Sequence, residues 1–459
     1  MTLTDFESMI VNKKSIYLSG IGGVSMRAMA ELLLSMGADV RGSDRDASPY
    51  TDRFLARGVT VFIGQQAENI KGDEAVLIRT AAVLDSNPEI VAARAHGIPI
   101  IERGQAWGLL MQRYRNVVCV AGTHGKTSTT SMIATFAMAA RLDPTVMVGG
   151  DLSSIGGSLR IGSHELFVAE SCEYKNSYHS FSPTIAVILN IDRDHLDFFH
   201  TTDEIIASFH HFASLVPKES GLVVANGDDA NTRLALQGLE RRIVTFGKGE
   251  GCDVRPDHVQ FQNGFYTFDV VARGVHYCRV KLSVPGEHNL LNALASAAVA
   301  IELGVPGAEF AAGIAGYCGV GRRFESKGLY RGALLFDDYA HHPSEIEATL
   351  RTARLMNPRR ILCIFQPHTY SRTISLREEF ARALSLADVC VLTDIYASRE
   401  TNTEGIDSHY LADLIGGSVC VGSFDEARAY VRREAQPGDL IFTMGAGDVW
   451  KIFDHLPQD

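Results

Sequence analysis

The chain has 459 residues, about three times the ~150 residues of a usual domain, so a single small binding module is excluded. With 46% hydrophobic and 21% charged residues, the composition excludes a disordered or fibrous chain. The formal net charge of −11 also argues against a protein that binds nucleic acid through the phosphate backbone.

The first part of the chain alternates short apolar runs with amphipathic stretches, which is typical of βαβ units. A strand is predicted at 15–19, followed by a turn at 20–23 and a helix that ends at Gly37. Further strands are predicted at 59–63, 75–79 and 98–101, with a helix that begins at Asn87-Pro88 and ends at Gly97. These elements predict a first α/β domain over residues 1–113.

The second part repeats the pattern and then departs from it. Strands are predicted at 116–120, 166–169 and 186–189, with a helix through Ala140 after the first of them. Residues 201–204 read as a capping box for a helix that reaches about Val216. From 259 to 284 the hydrophobic period is two, around an Asn263-Gly264 turn, which predicts an antiparallel hairpin added to the central sheet. The second domain is predicted over residues 114–321.

The third part predicts one more α/β domain, over residues 322–459. Its strands are predicted at 334–337, 361–365, 389–393, 418–421 and 440–443, separated by helices. The sequence therefore predicts an α/β protein of three domains.

The segment 122–128, Gly-Thr-His-Gly-Lys-Thr-Ser, carries the most specific chemistry. The backbone N–H groups of such a loop cradle phosphates, Lys126 can reach the terminal phosphates, and the Thr127 hydroxyl can bind Mg²⁺. The spacing departs from GxxxxGK[ST], because Val120 occupies the first glycine position. The alternative, a plain turn between a strand and a helix, requires the Gly-Lys-Thr triplet to be accidental.

Acidic residues follow two predicted strands, at the edge where open α/β sheets bind ligands. Glu170 follows the strand at 166–169, and residues 190–197 with His195 follow the strand at 186–189. A hydroxyl, a carboxylate and an imidazole from these positions can hold metal ions for phosphoryl transfer. For Asp192 and Asp197 alone, a loop or helix-cap role is an equal alternative.

The first predicted turn half matches a dinucleotide fingerprint. Gly20, Gly22 and Gly23 are followed by Asp44, but Ser25 stands where the third glycine belongs. The pattern favours a diphosphate-bearing ligand at a helix N-terminus, and a tight turn without a ligand is the alternative.

Polar clusters follow several predicted strands of the third domain, at 337–343, 366–372, 394–400 and 445–448. A single histidine pair or an aspartate such as Asp338 often has only a structural role, but four clusters at successive strand ends favour a site. Arg322 and Arg323 add guanidinium groups that can bind phosphate or carboxylate, with a solvated charge pair as the alternative.

Together these motifs resemble the Mur ligase family along the whole chain, and among its members the alanine-adding branch. The matching stretches are GIGGVSM at 20–26, RGSD at 41–44, GTHGKT at 122–127, NIDRDHLD at 190–197, VPGEHNLLNALA at 284–295, GRRFE at 321–325, DDYAHHP at 337–343, FQPHTYSRT at 365–373 and GAGD at 445–448.

The resemblance implies a Rossmann-like N-terminal domain that binds a UDP-sugar, a central P-loop ATPase-type domain that binds ATP, and a Rossmann-like C-terminal domain that closes over both. It implies that ATP phosphorylates the lactyl carboxylate of UDP-N-acetylmuramate and that L-alanine attacks the acyl phosphate, releasing ADP and phosphate. The implied cofactor is Mg²⁺, and the implied state is a monomer or weak homodimer.

The resemblance also assigns residues to each part of the site. The UDP diphosphate is expected at Gly20, Gly22 and Gly23, with Ser43 and Asp44 nearby. ATP is expected at Gly122, Thr123, His124, Gly125, Lys126, Thr127, Ser128, Asn289, Asn292 and Asp338, and metal at Thr127, Glu170 and His195. The γ-phosphate, the acyl group and the amino acid are expected to meet at Arg323, Tyr339, His341, His368 and Arg372. His341 and His195 remain candidates for the general base, although a metal-bound His195 could not serve.

The chain departs from the family pattern at three places. After Glu170 the run Ser-Cys-Glu-Tyr-Lys at 171–175 is poorer in acids, which puts the metal shell in doubt. Residues 209–212, Phe-His-His-Phe, offer no lysine for the carbamylation found in sister ligases. Thr369 stands where some members have arginine.

Three alternative functions remain at this point. The first is a ligase of the same type that adds glycine or serine, since a single methylene contributes only ~1–3 kcal/mol of discrimination. The second is a nicotinamide oxidoreductase built on residues 20–44, and the third is a regulatory protein that binds ATP without acyl transfer.

The cysteines and the N-terminus favour a cytoplasmic location. The 8 cysteines form no CxxC pair, which predicts reduced, mostly buried thiols. The chain contains no run of ~18 apolar residues, and its first 20 residues lack the apolar core of a secretory signal. We therefore expect a cytoplasmic protein that does not insert into membranes.

Overall fold

A computed structural model of the chain describes residues 1–195, 198–262, 264–398 and 400–456. The described residues form three β-sheets of five, ten and six strands, one for each predicted domain. The first sheet ends before residue 113, and the third begins after residue 321. Asp197 and Asn263, which the sequence analysis singled out, lie outside the described residues.

The N-terminal domain has a parallel sheet in the order β3-β2-β1-β4-β5. Its strands are β1 (Ser15–Ser19), β2 (Asp39–Asp44), β3 (Thr60–Ile63), β4 (Val76–Arg79) and β5 (Ile100–Glu102). Its helices are α1 (Leu3–Val11), α2 (Val24–Ser35), α3 (Pro49–Ala56), α4 (Pro88–Ala95) and α5 (Arg103–Met111). The predicted start of α4 is confirmed, because the Asn87 side chain accepts the Glu89 N–H and Pro88 opens the helix.

The central domain has ten strands in the order β15-β14-β13-β12-β11-β10-β6-β9-β7-β8. The strands are β6 (Asn116–Ala121), β7 (Thr145–Leu152), β8 (Gly157–Arg160), β9 (Leu166–Glu170), β10 (Ile185–Ile188), β11 (Leu222–Asn226), β12 (Arg242–Phe246), β13 (Val254–Gln262), β14 (Phe265–Ala272) and β15 (Val275–Lys281). The helices are α6 (Lys126–Ala139), α7 (Thr202–Ser214), α8 (Ala230–Ala235), α9 (Glu287–Glu302) and α10 (Gly307–Ala315). The predicted antiparallel addition is present, as the three strands β13 to β15 at one edge of the sheet.

The C-terminal domain has six strands in the order β16-β17-β21-β18-β19-β20, with only β16 antiparallel to its neighbour. The strands are β16 (Glu325–Tyr330), β17 (Ala333–Asp338), β18 (Ile361–Phe365), β19 (Val389–Leu392), β20 (Val419–Cys420) and β21 (Leu440–Met444). The helices are α11 (Pro343–Arg354), α12 (Tyr370–Ser375), α13 (Arg377–Leu384), α14 (His409–Ala412) and α15 (Phe424–Glu434).

Two local predictions need correction. The predicted capping box at 201–204 is only half formed: Thr201 accepts the Glu204 N–H, but the Glu204 carboxylate accepts the N–H of His200, which lies one residue before the N-cap. The strand predicted at 418–421 is reduced to two residues, because β20 is a short edge strand that pairs only with β19.

The two junctions between domains differ in character. The N-terminal and central domains share one hydrophobic core, in which Trp107 on α5 packs against the edge of Phe167 on β9 at 5.9 Å between ring centres. At Gly108, α5 packs directly against the backbone of the central domain. A Cβ at this position would lie 1.8 Å from the Ser180 carbonyl oxygen, so only glycine allows this approach. The central and C-terminal domains meet through polar side chains, which are described below.

All eight cysteines are free, as predicted, but only Cys119, Cys278, Cys363 and Cys390 are buried, and Cys318 is exposed. Among the described residues, no helix is both long enough and apolar enough to cross a membrane.

Candidate active site

The loop between β6 and α6 has the geometry of a phosphate-binding loop. Gly122 and Gly125 have φ values of +148° and +83°. A Cβ at Gly125 would lie 2.7 Å from Asn292 Oδ1, so glycine is required there. Gly125 is the N-cap of α6, and the free N–H groups of the first turn therefore face the loop. Lys126 Nζ donates to the carbonyl oxygens of Gly122 and Thr123, which places the ammonium inside the loop.

The segment that follows β10 holds this loop in place. His124 N–H donates to Asn190 Oδ1 at 2.8 Å, and Asn190 Nδ2 donates back to the His124 carbonyl at 3.1 Å. Thr123 Oγ1 accepts the Asp192 N–H at 2.8 Å. Asn190 was part of a motif without a role, and the structure shows that it fixes the backbone of the phosphate loop.

Two of the three predicted metal ligands are in direct contact. Thr127 Oγ1 donates to Glu170 Oε1 at 3.0 Å, and Glu170 Oε2 accepts the Gly149 N–H at 2.6 Å. Glu170 ends β9, which is a direct neighbour of β6, and this pairing explains why the two residues meet. A hydroxyl oxygen and a carboxylate at the end of a phosphate loop are ligands that Mg²⁺ prefers.

The third predicted ligand, His195, faces Glu173 rather than Glu170. Glu173 Oε1 accepts a hydrogen bond from Lys126 Nζ at 3.1 Å and lies 3.7 Å from His195 Nε2. Glu173 Oε2 is also 3.1 Å from Nζ but lacks hydrogen-bonding geometry, so this buried oxygen has no hydrogen-bond partner in the described part of the chain. Burial lowers the pKa of Lys126, but Glu173, Cys172 and Glu170 outweigh it and hold this pKa above its usual range.

Glu173 is thus a site residue that the sequence analysis did not select. It was noted only as part of a run poorer in acids, yet it supplies the buried carboxylate between Lys126 and His195. Its spacing of three residues from Glu170, directly after a buried strand, was the available signal.

A cavity of 310 Å³ lies between the central and C-terminal domains. Most predicted ATP ligands line it, namely His124, Gly125, Thr127, Ser128, Asn289, Asn292 and Asp338. Phe246, Tyr317 and His288 also line it and were not predicted. A cavity with aromatic walls and a few amide groups, next to a phosphate loop, has the chemistry to hold a nucleoside.

Asp338 lines this cavity and also caps a turn, so its structural role is confirmed and its role in ATP binding stays a prediction. It accepts the N–H groups of Ala340 and Phe324, each at 2.8 Å. Burial raises the pKa of Asp338 to about 6, although Arg323 and the two backbone N–H groups lower it.

A second cavity, of 240 Å³, lies between the C-terminal domain and the segments that follow β9 and β10 of the central domain. Arg372 Nη2 donates to Asp194 Oδ1 at 2.9 Å, and Arg372 Nη1 lies 3.2 Å from His368 Nδ1. Burial raises the pKa of Asp194, but His195, Arg372 and His341 outweigh it and hold this pKa well below its usual range. Burial, together with His341 and Arg372, lowers the pKa of His368 to about 4, so this imidazole is neutral near pH 7.

Glu345, in the first turn of α11, lines the first cavity and was not predicted. Its carboxylate lies 3.3 Å from His124 Nδ1, 3.2 Å from His341 Nδ1 and 3.7 Å from Arg323 Nη1. Burial raises the pKa of Glu345, but His341 and His124 hold it well below its usual range. Three predicted residues, His124, His341 and Arg323, therefore surround this carboxylate, and the Arg323 guanidinium also lies 5.0 Å above the ring of Tyr339.

The glycine turn of the N-terminal domain lies at the carboxyl ends of β1 and β2. Gly22 N–H donates to Asp44 Oδ2 at 2.8 Å, and a Cβ at Gly22 would lie 2.8 Å from the same oxygen. Gly20 has a φ of +89°, and Gly23 is the N-cap of α2. Gly20, Gly22, Gly23 and Asp44 are therefore brought together at a helix N-terminus.

Ser43 has a different position from the other residues of this group. It is fully buried, and its hydroxyl donates to Glu89 Oε2 at 2.8 Å. The Ser43 hydroxyl hydrogen thus points into the domain, and its carbonyl accepts the N–H groups of Gly20 and Ile21. The structure indicates that Ser43 positions the glycine turn from beneath.

Comparisons with known proteins identify the family. Three family profiles match the chain: "Mur ligase family, catalytic domain" at 15–115, "Mur ligase middle domain" at 120–300 and "Mur ligase, glutamate ligase domain" at 322–447. The chain belongs to the Mur ligase family, a class of ATP-dependent ligases.

The similar proteins within this family share the name of one enzyme. The UDP-N-acetylmuramate–L-alanine ligase of Clostridium novyi is 44% identical over 96% of both chains. The enzyme of the same name from Caldanaerobacter subterraneus is 45% identical over 97% of this chain and 98% of its own length. The crystal structure of the UDP-N-acetylmuramate-alanine ligase from Thermotoga maritima superposes with a TM-score of 0.79 at 30% identity, covering 96% of this chain and 98% of that one. This membership decides against a nicotinamide oxidoreductase and against a regulatory protein without ligase activity.

Proposed function

We propose that the protein joins L-alanine to the lactyl carboxylate of UDP-N-acetylmuramate in an ATP-dependent reaction of peptidoglycan precursor synthesis. The carboxylate is phosphorylated by ATP, the amine of L-alanine attacks the acyl phosphate, and ADP and phosphate are released. One observation carries the proposal: the phosphate loop of the central domain and the arginine and histidine groups of the C-terminal domain converge on Glu345 and Asp194. A phosphoryl donor bound to the loop would lie against those groups.

The cavity at the phosphate loop supports a role in ATP binding. The N–H groups at the start of α6 and Lys126 bind the phosphates, while Asn289 and Asn292 offer amide groups on the adenine side. Asp338 accepts hydrogen bonds from the ribose in its ionised form. These contacts align the γ-phosphate with the end of the loop.

The donor set at Thr127 and Glu170 fits Mg²⁺, and the unpartnered Glu173 oxygen adds a third hard ligand next to Lys126. When bound, Mg²⁺ neutralises charge on the phosphate oxygens. His195 lies on the far side of Glu173 and completes the set of residues around this position.

The residues around the second cavity position the acyl group and the amine. Arg372 and Arg323 supply fixed positive charge where negative charge builds on the transferring oxygens. His368 is neutral, and because its Nδ1 faces the Arg372 donor, its Nε2–H can donate a hydrogen bond to the carboxylate of the amino acid. His341, paired with Glu345, and His195 stay candidates for the group that takes the amine proton. Closure of the C-terminal domain keeps water from the acyl phosphate.

The UDP diphosphate binds at Gly20, Gly22 and Gly23, where α2 directs its N-terminus and Asp44 fixes the turn. We also propose that the enzyme works in the cytoplasm, where ATP is available, as a monomer or weak homodimer. The domain boundaries near residues 113 and 321 remain part of the proposal.

The proposal is tested by phosphate release from Mg²⁺-ATP and UDP-N-acetylmuramate, comparing L-alanine, glycine, L-serine and a control without an amino acid. Release that requires both the sugar nucleotide and L-alanine is expected. A preference for glycine or L-serine would correct the amino-acid assignment, and release that depends on neither substrate would contradict the ligase proposal.

A further inference from the structure

A groove of 670 Å³ separates the N-terminal domain from the β7–β8 hairpin of the central domain. Helices α2 and α3 form one wall, and residues 152–159 of the hairpin form the other. Among the side chains that the structure describes, three arginines line it, Arg27, Arg53 and Arg57, against one acidic residue, Glu31. None of these residues belongs to the site described above.

Arg27 is a buried cation that lacks an anionic partner. Its side chain crosses from α2 to the hairpin, where Nη2 donates to Ser158 Oγ at 3.2 Å. The guanidinium lies 3.7 Å from the centre of the Tyr50 ring. The residue is only 9% exposed, and Nη1 is buried with no hydrogen-bond partner in the described part of the chain. A buried, incompletely hydrogen-bonded guanidinium is costly, since burial disfavours charge that nothing compensates.

The two other arginines add charge on the same side. Arg53 and Arg57 are exposed and four residues apart, so they share one face at the end of α3. Among the side chains that the structure describes, no carboxylate lies within ion-pair distance of any of the three arginines. A concentration of unpaired positive charge stands out in a chain whose net charge is −11.

We propose that this groove binds an anion with two or more phosphate groups, at a site separate from the ATP and UDP-sugar sites. Guanidinium groups on two helices match several phosphates, because each can form a bidentate pair with one phosphate. The Ser153 and Ser158 hydroxyls of the hairpin supply further donors. The proposal does not depend on the ligase function, since it uses none of the residues assigned to that reaction.

The groove is connected to the metal-binding side of the active site through one strand. Leu152, at the end of β7, lines the groove, and Gly149 of the same strand donates its N–H to Glu170. An anion in the groove therefore bridges α2 and α3 to the strand that orients Glu170.

The test is calorimetric titration of the full-length protein with inorganic pyrophosphate, after the two nucleotide sites are filled with saturating ADP and UDP. The binding of ADP and UDP is measured first, so a failure of the proposed function appears separately as missing nucleotide binding. The double variant Arg53→Gln/Arg57→Gln removes the exposed charge without altering the buried Arg27. The double variant Arg115→Gln/Arg433→Gln removes the same charge from exposed positions elsewhere.

We expect one pyrophosphate per chain, with a Kd at least tenfold higher in the groove variant and unchanged within twofold in the control. Absence of binding to the native protein would overturn the proposal, as would equal weakening in both variants. Displacement of pyrophosphate by UDP-N-acetylmuramate, which reaches beyond the UDP position, would also overturn it, because the groove would then be part of the substrate site.

Discussion

At the scale of single residues, the pair of Lys126 and Glu173 shows how function and stability are coupled in the phosphate loop. The ammonium is enclosed by two carbonyl oxygens and one buried carboxylate. Removing Lys126 therefore takes the ammonium partner from the buried Glu173, with His195 Nε2 3.7 Å away, and breaking a buried pair costs about 3–5 kcal/mol in comparable cases. An activity measurement on that variant alone would mix both effects.

We predict that Lys126→Ala lowers kcat by about 10²–10³ or more, because a fixed charge on the transferring phosphate is lost, and that it lowers the thermal midpoint. The double variant Lys126→Ala/Glu173→Gln is expected to regain stability but not activity. Phosphate release and thermal unfolding measured on both variants test this. Turnover near the native rate in the stable double variant would contradict the role of Lys126.

In the N-terminal domain, Glu89 is the buried carboxylate that is comparable to Glu173. It is fully buried on α4 and accepts hydrogen bonds from Tyr17, Ser19, Ser43 and Asn69 at 2.6–2.8 Å. Ser19 and Ser43 directly precede the glycine turn and Asp44. Glu89 thus acts as a positioning residue for the proposed UDP site.

We predict that Glu89→Gln raises the KM for UDP-N-acetylmuramate about tenfold, or ~1.4 kcal/mol, because an amide donates two hydrogen atoms where the carboxylate accepted four bonds. The KM for ATP and kcat are expected to change less than twofold. Steady-state kinetics with each substrate varied in turn is the measurement. A uniform loss of kcat with both KM values preserved would indicate a structural role only.

At the scale of elements, the sequence predicted those with a strong local signal. The strand, glycine loop and helix at 116–139 were predicted because an apolar run, two glycines and a periodic helix follow one another. Helices α1, α3, α5, α8, α9 and α10 were missed, and so were β2, β7, β8, β11, β12 and β16. Strand β2 reads as the polar sequence Asp-Val-Arg-Gly-Ser-Asp, and it is a strand because it pairs with β1 and β3.

The residues of the candidate site also divide into those that the sequence predicted and those that it did not. Residues within a motif, such as Lys126 and Thr127, were predicted because their chemistry depends on local spacing. Glu345 and Glu89 were missed because their partners come from other elements, 221 residues away for His124 and 72 for Tyr17. Contacts between distant segments leave no local pattern.

The contact between the phosphate loop and α11 is predicted to weaken as pH rises. Asp192 and Glu345 outweigh burial and raise the pKa of His124 to about 9, while Ser344 and His342 also face the ring. A histidine pKa raised above its unfolded value of 6.5 stabilises the fold fully below 6.5, and this stabilisation is lost as pH rises through about 9.

Thermal midpoints of the native protein and of His124→Gln, measured from pH 6 to pH 9.5, test this contact. We expect the variant to be less stable at pH 6, by about 2–4 °C for each 1 kcal/mol, and the difference to shrink towards pH 9.5. A difference that stays constant across this range would show that His124 contributes without its charge.

At the scale of the whole molecule, the two domain junctions define where the enzyme moves. The junction of the N-terminal and central domains is apolar and close-packed, with Gly108 against the Ser180 backbone. The junction of the central and C-terminal domains consists of ion pairs and hydrogen bonds, such as Arg372 to Asp194 and His342 to the Arg193 carbonyl. Polar contacts can be exchanged with water and substrate, so we expect the C-terminal domain to be the one that opens and closes.

The two proposed nucleotide sites lie on different domains, so we expect variants of the two sites to act independently. Asp338→Asn keeps the size of the side chain. It replaces one of the two carboxylate oxygens that accept the Ala340 and Phe324 N–H groups with an amide NH₂ group. We expect it to raise the KM for ATP about tenfold and to leave the KM for the UDP-sugar within twofold, the reverse of Glu89→Gln. Because the two side chains share no hydrogen-bond partner, the double variant should show the two losses added within ~0.5 kcal/mol. Coupling well beyond that value would show that UDP-sugar binding and ATP binding drive the same closure of the C-terminal domain, in which case the sites communicate through the polar junction.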